Sequence, residues 1–181
     1  MQPVDEIPVA GKATYDIPQE EVPEDTNPEA SGPLEKRLES KVWKTRTQAL
    51  EELANLLRTD SDPPFSAYLN YLVKYVSDSH PGAQEKGLEV LSVYIEHQPD
   101  MVASQTDQIS KAIVEKGLAS AKTTIKQQAQ TILLDLFGIN KNSEAFIEGL
   151  KSALGNRNVK IQAAALYAIN TLMNAYGIMK V

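Results

Sequence analysis

The only imidazoles in this sequence are His80 and His97, and there is no cysteine. His80 falls in a predicted turn and His97 near a predicted helix end, neither beside a carboxylate cluster. Zinc sites, thiol nucleophiles and disulfides are therefore not expected. Asp60 and Asp62 are close together but lack the other ligands of a calcium loop. Gly82, Gly87 and Gly117 stand singly and read as packing or turn residues. No phosphate-cradling loop, dinucleotide-binding glycine pattern or nucleophile elbow is present. The expected class is a non-enzyme with no metal or cofactor.

The chemistry that the sequence does carry is recognition. Four short segments between predicted helices hold Lys41-Val42-Trp43-Lys44-Thr45-Arg46, Ser77-Asp78-Ser79-His80-Pro81-Gly82, Ser120-Ala121-Lys122-Thr123-Thr124-Ile125-Lys126 and Gly155-Asn156-Arg157-Asn158-Val159-Lys160. The first carries the only tryptophan. The stretch that opens at each segment holds at least one cation, reached in the second at Lys86. Trp and Arg are favoured anchors of protein interfaces, and scattered cations steer an acidic partner into place. A lone tryptophan is more often a core residue, and loop lysines usually just face water. Spacing alone leaves both readings open.

The elements that must position these residues are helices. Leu50, Leu53, Ala54 and Leu57 fall at i, i+3, i+4 and i+7, and Phe65, Leu69, Leu72, Val73 and Val76 repeat the pattern. Leu88, Leu91 and Ile95 form one stripe of the next helix, and Val90, Val93 and Tyr94 a second. Ile125, Ala129, Ile132, Leu133 and Leu136 follow, then Ala165, Ala168, Ile169, Leu172, Met173 and Tyr176. Apolar residues on more than one side mark helices sandwiched between neighbours. Short turns near residues 41, 80, 121 and 157 alternate with longer breaks at 59–64, 98–106 and 138–143. A two-helix unit recurring about every 40 residues is the HEAT or armadillo signature. The predicted fold is all-α: an α-solenoid of about four HEAT-type helical hairpins, near residues 34–58, 64–98, 106–138 and 143–177. Corresponding turns of a solenoid line one edge, so the four segments are expected on a shared ridge.

Charge divides the chain in two. Residues 1–33 hold one lysine against eight carboxylates and six of the ten prolines, a balance of −7. Such a segment buries too little to offset its ordering entropy and is expected to be a disordered acidic tail. The remaining residues, 34–181, balance to +1 and contain the periodic apolar stripes. The folded part gives no charge argument for nucleic acid. The start of the chain lacks a signal-peptide pattern, and no apolar run approaches the roughly 20 residues that cross a bilayer. No membrane partner is expected, and a soluble intracellular protein is the default.

Several segments together resemble a TOG domain, the tubulin-binding HEAT-repeat unit found in tandem in large microtubule polymerases and plus-end proteins. Leu34-Glu35-Lys36-Arg37-Leu38, Lys41–Arg46 and Ala49-Leu50-Glu51-Glu52-Leu53 look like the opening of the first TOG of such an array. Asp78-Ser79 through Ala83-Gln84-Glu85 resembles its second turn. Val114-Glu115-Lys116-Gly117-Leu118 with Lys122–Lys126 resembles its third, and Asn158-Val159-Lys160 with Ala163-Ala164 its fourth. The similarity runs over about residues 34–177.

The resemblance implies that the intra-repeat turns bind αβ-tubulin. It implies that Trp43 packs on β-tubulin with Lys44 beside it, and that Asp78, Ser79, His80 and Pro81 continue this contact. Lys122, Lys126 and Lys160 are then expected against acidic tubulin surface, with Arg157 as a neighbour. It also implies a cytoplasmic, cytoskeletal location at microtubules, spindle or spindle pole. His80 and Pro81 depart from the Asn and β-branched residue common there, and Val159 from a frequent proline. TOG domains of this type usually have six HEAT units, and about four are present here. An uncapped last repeat is expected to favour end-to-end self-association. The alternative function is a generic HEAT scaffold for a non-tubulin protein.

Overall fold

The computed structural model describes residues 31–139 and 144–177. The predicted acidic tail, apart from Ser31–Pro33, and most of the predicted 138–143 break lie outside them. Among the described residues there are helices and turns and no strand.

The chain runs through α1 (Leu34–Leu38), α2 (Trp43–Thr59), α3 (Phe65–Tyr68), a 3-10 turn (Leu69–Tyr71), α4 (Leu72–Val76), α5 (Pro81–His97) and α6 (Pro99–Ala103). Then follow α7 (Thr106–Ala112), a π-helical segment (Ile113–Leu118), α8 (Thr123–Ile139), α9 (Glu144–Leu154) and α10 (Val159–Tyr176). α2, α5, α8 and α10 lie side by side as one layer, and α4, α7 and α9 form the other. Successive helices pair across the layers as α1 with α2, α4 with α5, the π segment with α8, and α9 with α10. This is the predicted stack of four hairpins.

One core runs between the layers. Leu50, Leu53 and Leu57 of α2, Leu88, Leu91 and Tyr94 of α5, and Ile125, Ile132 and Leu136 of α8 are buried in it, with Leu72, Ile109, Ile113 and Phe146 opposite. Tyr94 is sealed inside, and its hydroxyl donates to the Phe65 carbonyl at 2.7 Å, so the buried oxygen is satisfied. That environment pushes the phenol well above its usual range, burial being the largest cause and Tyr68 nearby the second.

Three departures from regular hairpins appear. The first helix of the second unit is broken by the tighter 3-10 turn at Leu69–Tyr71. The predicted 98–106 break contains α6, where Pro99 takes the first helical position and Val102 turns into the core. The third unit widens into a π turn just where Gly117 meets α8. A Cβ at Gly117 would stand 2.7 Å from the Ala129 Cβ, closer than side chains approach. Gly87 similarly lets α5 touch α4, because a Cβ there would lie 2.2 Å from the Tyr75 carbonyl oxygen.

Candidate functional site: the short-turn ridge

Each short turn is built by the same device. A side-chain oxygen accepts the backbone N–H two residues on: Ser40 from Val42 at 3.1 Å, Asp78 from His80 at 2.8 Å, Ser120 from Lys122 at 3.2 Å, and Asn156 from Asn158 at 2.9 Å. These Asx- and Ser-type turns fix the bend. The next helix begins one residue later in every case, at Trp43, Pro81, Thr123 and Val159. Those four residues are therefore equivalent positions of the repeat. Six residues after the turn oxygen, Arg46 and Gln162 reach back to the carbonyls of Ser40 and Asn156 at 2.9 and 2.8 Å. Lys126 holds the corresponding place in the third turn, and its exposed side chain makes no hydrogen bond or ion pair among the described residues.

The turns are joined in sequence. Arg46 clamps the first to the second: its Nε–H donates to Asp78 Oδ2 and its Nη2–H to Asp78 Oδ1, both at 2.7 Å. The two side chains are only 14% and 10% exposed. Burial pushes the Asp78 carboxyl up, but Arg46 and the His80 N–H together outweigh it and hold the group below the usual carboxylate range. Asp78, which the family resemblance implied would contact a partner, thus has both carboxylate oxygens engaged within the fold. Arg46 is the residue that sequence reasoning quoted but did not single out; its signal is a cation one repeat away from a turn aspartate.

Asp78 in turn holds the His80 backbone. His80 caps α5 by accepting the Gly82 N–H on Nδ1 at 3.1 Å, with Pro81 at the first helical position. Its ring lies flat on Trp43, with centroids 3.6 Å apart and planes 12° from parallel. Trp43 is 39% exposed, so the indole is backed by the imidazole and open on the outside. A Cβ on Gly82 would sit 3.3 Å from both rings, so the glycine leaves room for the stack. Ser79 is exposed at the tip of the same turn, and Lys44 is exposed on the first turn of α2.

The second and third turns are joined by an ion pair between Lys122 and Glu85 of α5. Lys122 is therefore partly neutralised from within. The third and fourth turns share a groove of about 630 Å³ between α8 and α10, with Leu118, Ala121 and Ala164 among its apolar lining and Lys126 and Lys160 among its polar lining. Asn158 caps α10 by accepting the Lys160 N–H at 3.0 Å. Arg157 and Lys160 are exposed and, like Lys126, make no ion pair among the described residues. Val159 is 72% exposed at the position equivalent to Trp43. The ridge thus presents an aromatic plate at one end and an aliphatic contact with three uncommitted cations at the other.

A family profile described as "XMAP215/Dis1/CLASP, TOG domain" matches residues 29–181. The chain is 31% identical over 148 residues to "Protein mini spindles" of Drosophila melanogaster, covering 80% of this chain and 7% of that protein. It is 31% identical over 153 residues to "Spindle pole body component alp14" of Schizosaccharomyces pombe, covering 80% and 19% respectively. It therefore spans a small fraction of the length of these relatives. Among solved structures, one of tubulin recruitment and assembly by microtubule polymerases with TOG domain arrays aligns with a TM-score of 0.71 at 22% identity, over 81% of this chain and 32% of that one. An engineered protein aligns at 0.53 and 17% identity, over 80% and 67%. The structural likenesses establish the helical-repeat fold. The profile match over most of the chain, on a ridge of four linked turns, settles the family: the chain belongs to the XMAP215/Dis1/CLASP TOG domain family.

Proposed function

We propose that the short-turn ridge binds αβ-tubulin, and that the chain is a recruiting module of a protein that regulates microtubule dynamics. The observation that carries this reading is Trp43 standing partly exposed on the ridge with its inner face held by His80. A rigid, pre-oriented aromatic loses little entropy on binding and makes a good interface anchor. Lys126, Arg157 and Lys160 supply the positive charge for an acidic tubulin surface. Lys122 contributes less, because Glu85 already holds it. Ser79, His80 and Pro81 extend the Trp43 contact, while Asp78 acts through their placement. Tubulin exists as a curved free dimer and a straighter lattice form; a ridge whose first two turns are held in fixed relation by the Arg46–Asp78 pair favours one of them, and capture and release follow from that difference in affinity. The location implied is the microtubule cytoskeleton.

The test is sizing chromatography or light scattering of the chain with soluble tubulin at low salt. Co-migration is expected, with Trp43→Ala weakening it at least about tenfold, the scale of an interface hot spot. The variant should melt close to the parent, because the indole is a ridge residue and not a core one. No co-migration of the parent chain would turn the assignment to a scaffold for another protein.

A further inference from the structure

The groove between α8 and α10 has a composition that the tubulin reading does not require. Its lining is mainly apolar, from Leu118, Ala121 and Ala164 to the Tyr167 ring, and its two charged groups are both lysines, Lys126 and Lys160. The Tyr167 hydroxyl donates to Gln130 Oε1 at 2.6 Å, which fixes the ring at one end of the groove. An apolar trough flanked by two lysines that make no ion pair among the described residues fits an extended acidic segment that carries apolar side chains. The chain supplies one. Residues 5–21 hold Asp5, Glu6, Asp16, Glu20 and Glu21 against a single Lys12, interspersed with Ile7, Val9, Tyr15 and Ile17.

Reach decides which carboxylates are available. The groove lies two to three helix spacings of about 8–10 Å from the first hairpin, or roughly 20–30 Å. Fully extended chain covers about 3.3–3.6 Å per residue. Glu29 and Asp25 are too close to Ser31 to span that distance. Asp16, Glu20 and Glu21, ten to fifteen residues from Ser31, reach about 35–50 Å and span it easily. We propose that the acidic segment 5–21 docks in the α8–α10 groove and occupies Lys126 and Lys160, shielding that end of the ridge until a partner displaces it. Tethering gives an effective concentration in the millimolar range, so a site with an intrinsic dissociation constant of about 1 mM is about half filled. The contact itself is independent of the partner; only the competition rests on the tubulin reading.

The absence of cysteine makes the test direct. A nitroxide on Thr14→Cys in the full chain is the sole spin label, read by broadening of backbone amide signals. Broadening is expected at residues 119–130 and 160–167. It should vanish in Lys126→Glu/Lys160→Glu and fade at about 1 M salt, where screening acts within about 3 Å. Broadening centred on Trp43 and Lys44, spread evenly, or unchanged by the charge reversal would overturn the docking. For the competition, Asp16→Asn/Glu20→Gln/Glu21→Gln should bind tubulin about twofold more tightly than the parent, the gain from freeing a half-filled site. Equal affinity overturns the competition. Failure of both chains to bind tubulin defeats the tubulin reading alone, and the spin-label result still decides the docking.

Discussion

Replacing Arg46 with Met tests how the ridge is held. The substitution keeps the aliphatic stem and removes the guanidinium that makes two 2.7 Å bonds to Asp78 and two more to the Ser40 and Lys41 carbonyls. Breaking a fully buried ion pair costs about 3–5 kcal/mol, because the remaining charge is left without a partner. Here the side chains retain 14% and 10% exposure, so water repays part of that, and about 2–3 kcal/mol is expected. For a domain of this size that is a fall in Tm of about 5–10 °C. The assay is thermal and urea unfolding followed by circular dichroism. Asp78→Asn preserves an acceptor for the His80 N–H while removing the charge. Arg46→Met/Asp78→Asn should therefore be less damaging than the sum of the singles, with a coupling of about 1.5–2 kcal/mol. The single tryptophan adds a local readout: loosening the His80 platform should shift Trp43 emission in Arg46→Met before global unfolding. Additive singles, or a loss below about 0.5 kcal/mol, would refute the argument that this pair orders the turns.

The same pair sets an acid limb. Asp78 has a folded pKa below its unfolded value near 3.9, so its stabilisation is complete above that value and is lost as pH falls through the folded one. Stability measured below about pH 4 should fall more steeply in the parent than in Asp78→Asn. Gly87→Ala gains about 1 kcal/mol in helix propensity but drives a methyl into the Tyr75 carbonyl; a net loss of about 1–2 kcal/mol is expected in urea unfolding, and a higher Tm would refute the close α4–α5 approach. The outer side of α10 exposes Val159, Leu166 and Met173, and Lys160 is the only charged residue of the helix. Light scattering at rising concentration should show this chain associating, and Leu166→Glu should restore a monomer; a parent that stays monomeric would remove the predicted end-to-end contact.

The hairpin count and the four turns could be read from the sequence because helical periodicity and helix-breaking residues act locally. Ser40, Asp78, Ser120 and Asn156 carry a sharper local signal than the cations beside them, each three residues before a helix start. The insertion of α6 was also local in part, since Pro99 followed by a core-directed Val102 is a helix opening. What could not be read depends on residues one repeat apart. The Trp43–His80 stack spans 37 positions, the Arg46–Asp78 clamp 32, and Lys122–Glu85 another 37. Nothing in the turn sequences shows that Asp78 faces inward, that Lys122 is paired, or that Lys126 has no ion-pair partner among the described residues. The π turn is equally non-local, since its place is set by how closely Ala129 approaches Gly117.

The seams between hairpins differ in chemistry along the stack. α2 and α5 are tied by Arg58 to Glu89 at 2.9 Å and by Lys86 to Glu51 at 2.9 Å, in addition to the Arg46 clamp. The described polar contacts between α8 and α10 are neutral: Tyr167 to Gln130 and Tyr176 to the Leu134 carbonyl. Charged, bidentate links resist shear, whereas single neutral bonds over small residues let helices slide at little cost. This contrast predicts a molecule stiffer at the tryptophan end than at the lysine end, like a ruler with a springy tip. A curved surface can be gauged by the first and followed by the second, and amide exchange slowing from the α10 seam toward the α2 seam would be the trace of that gradient.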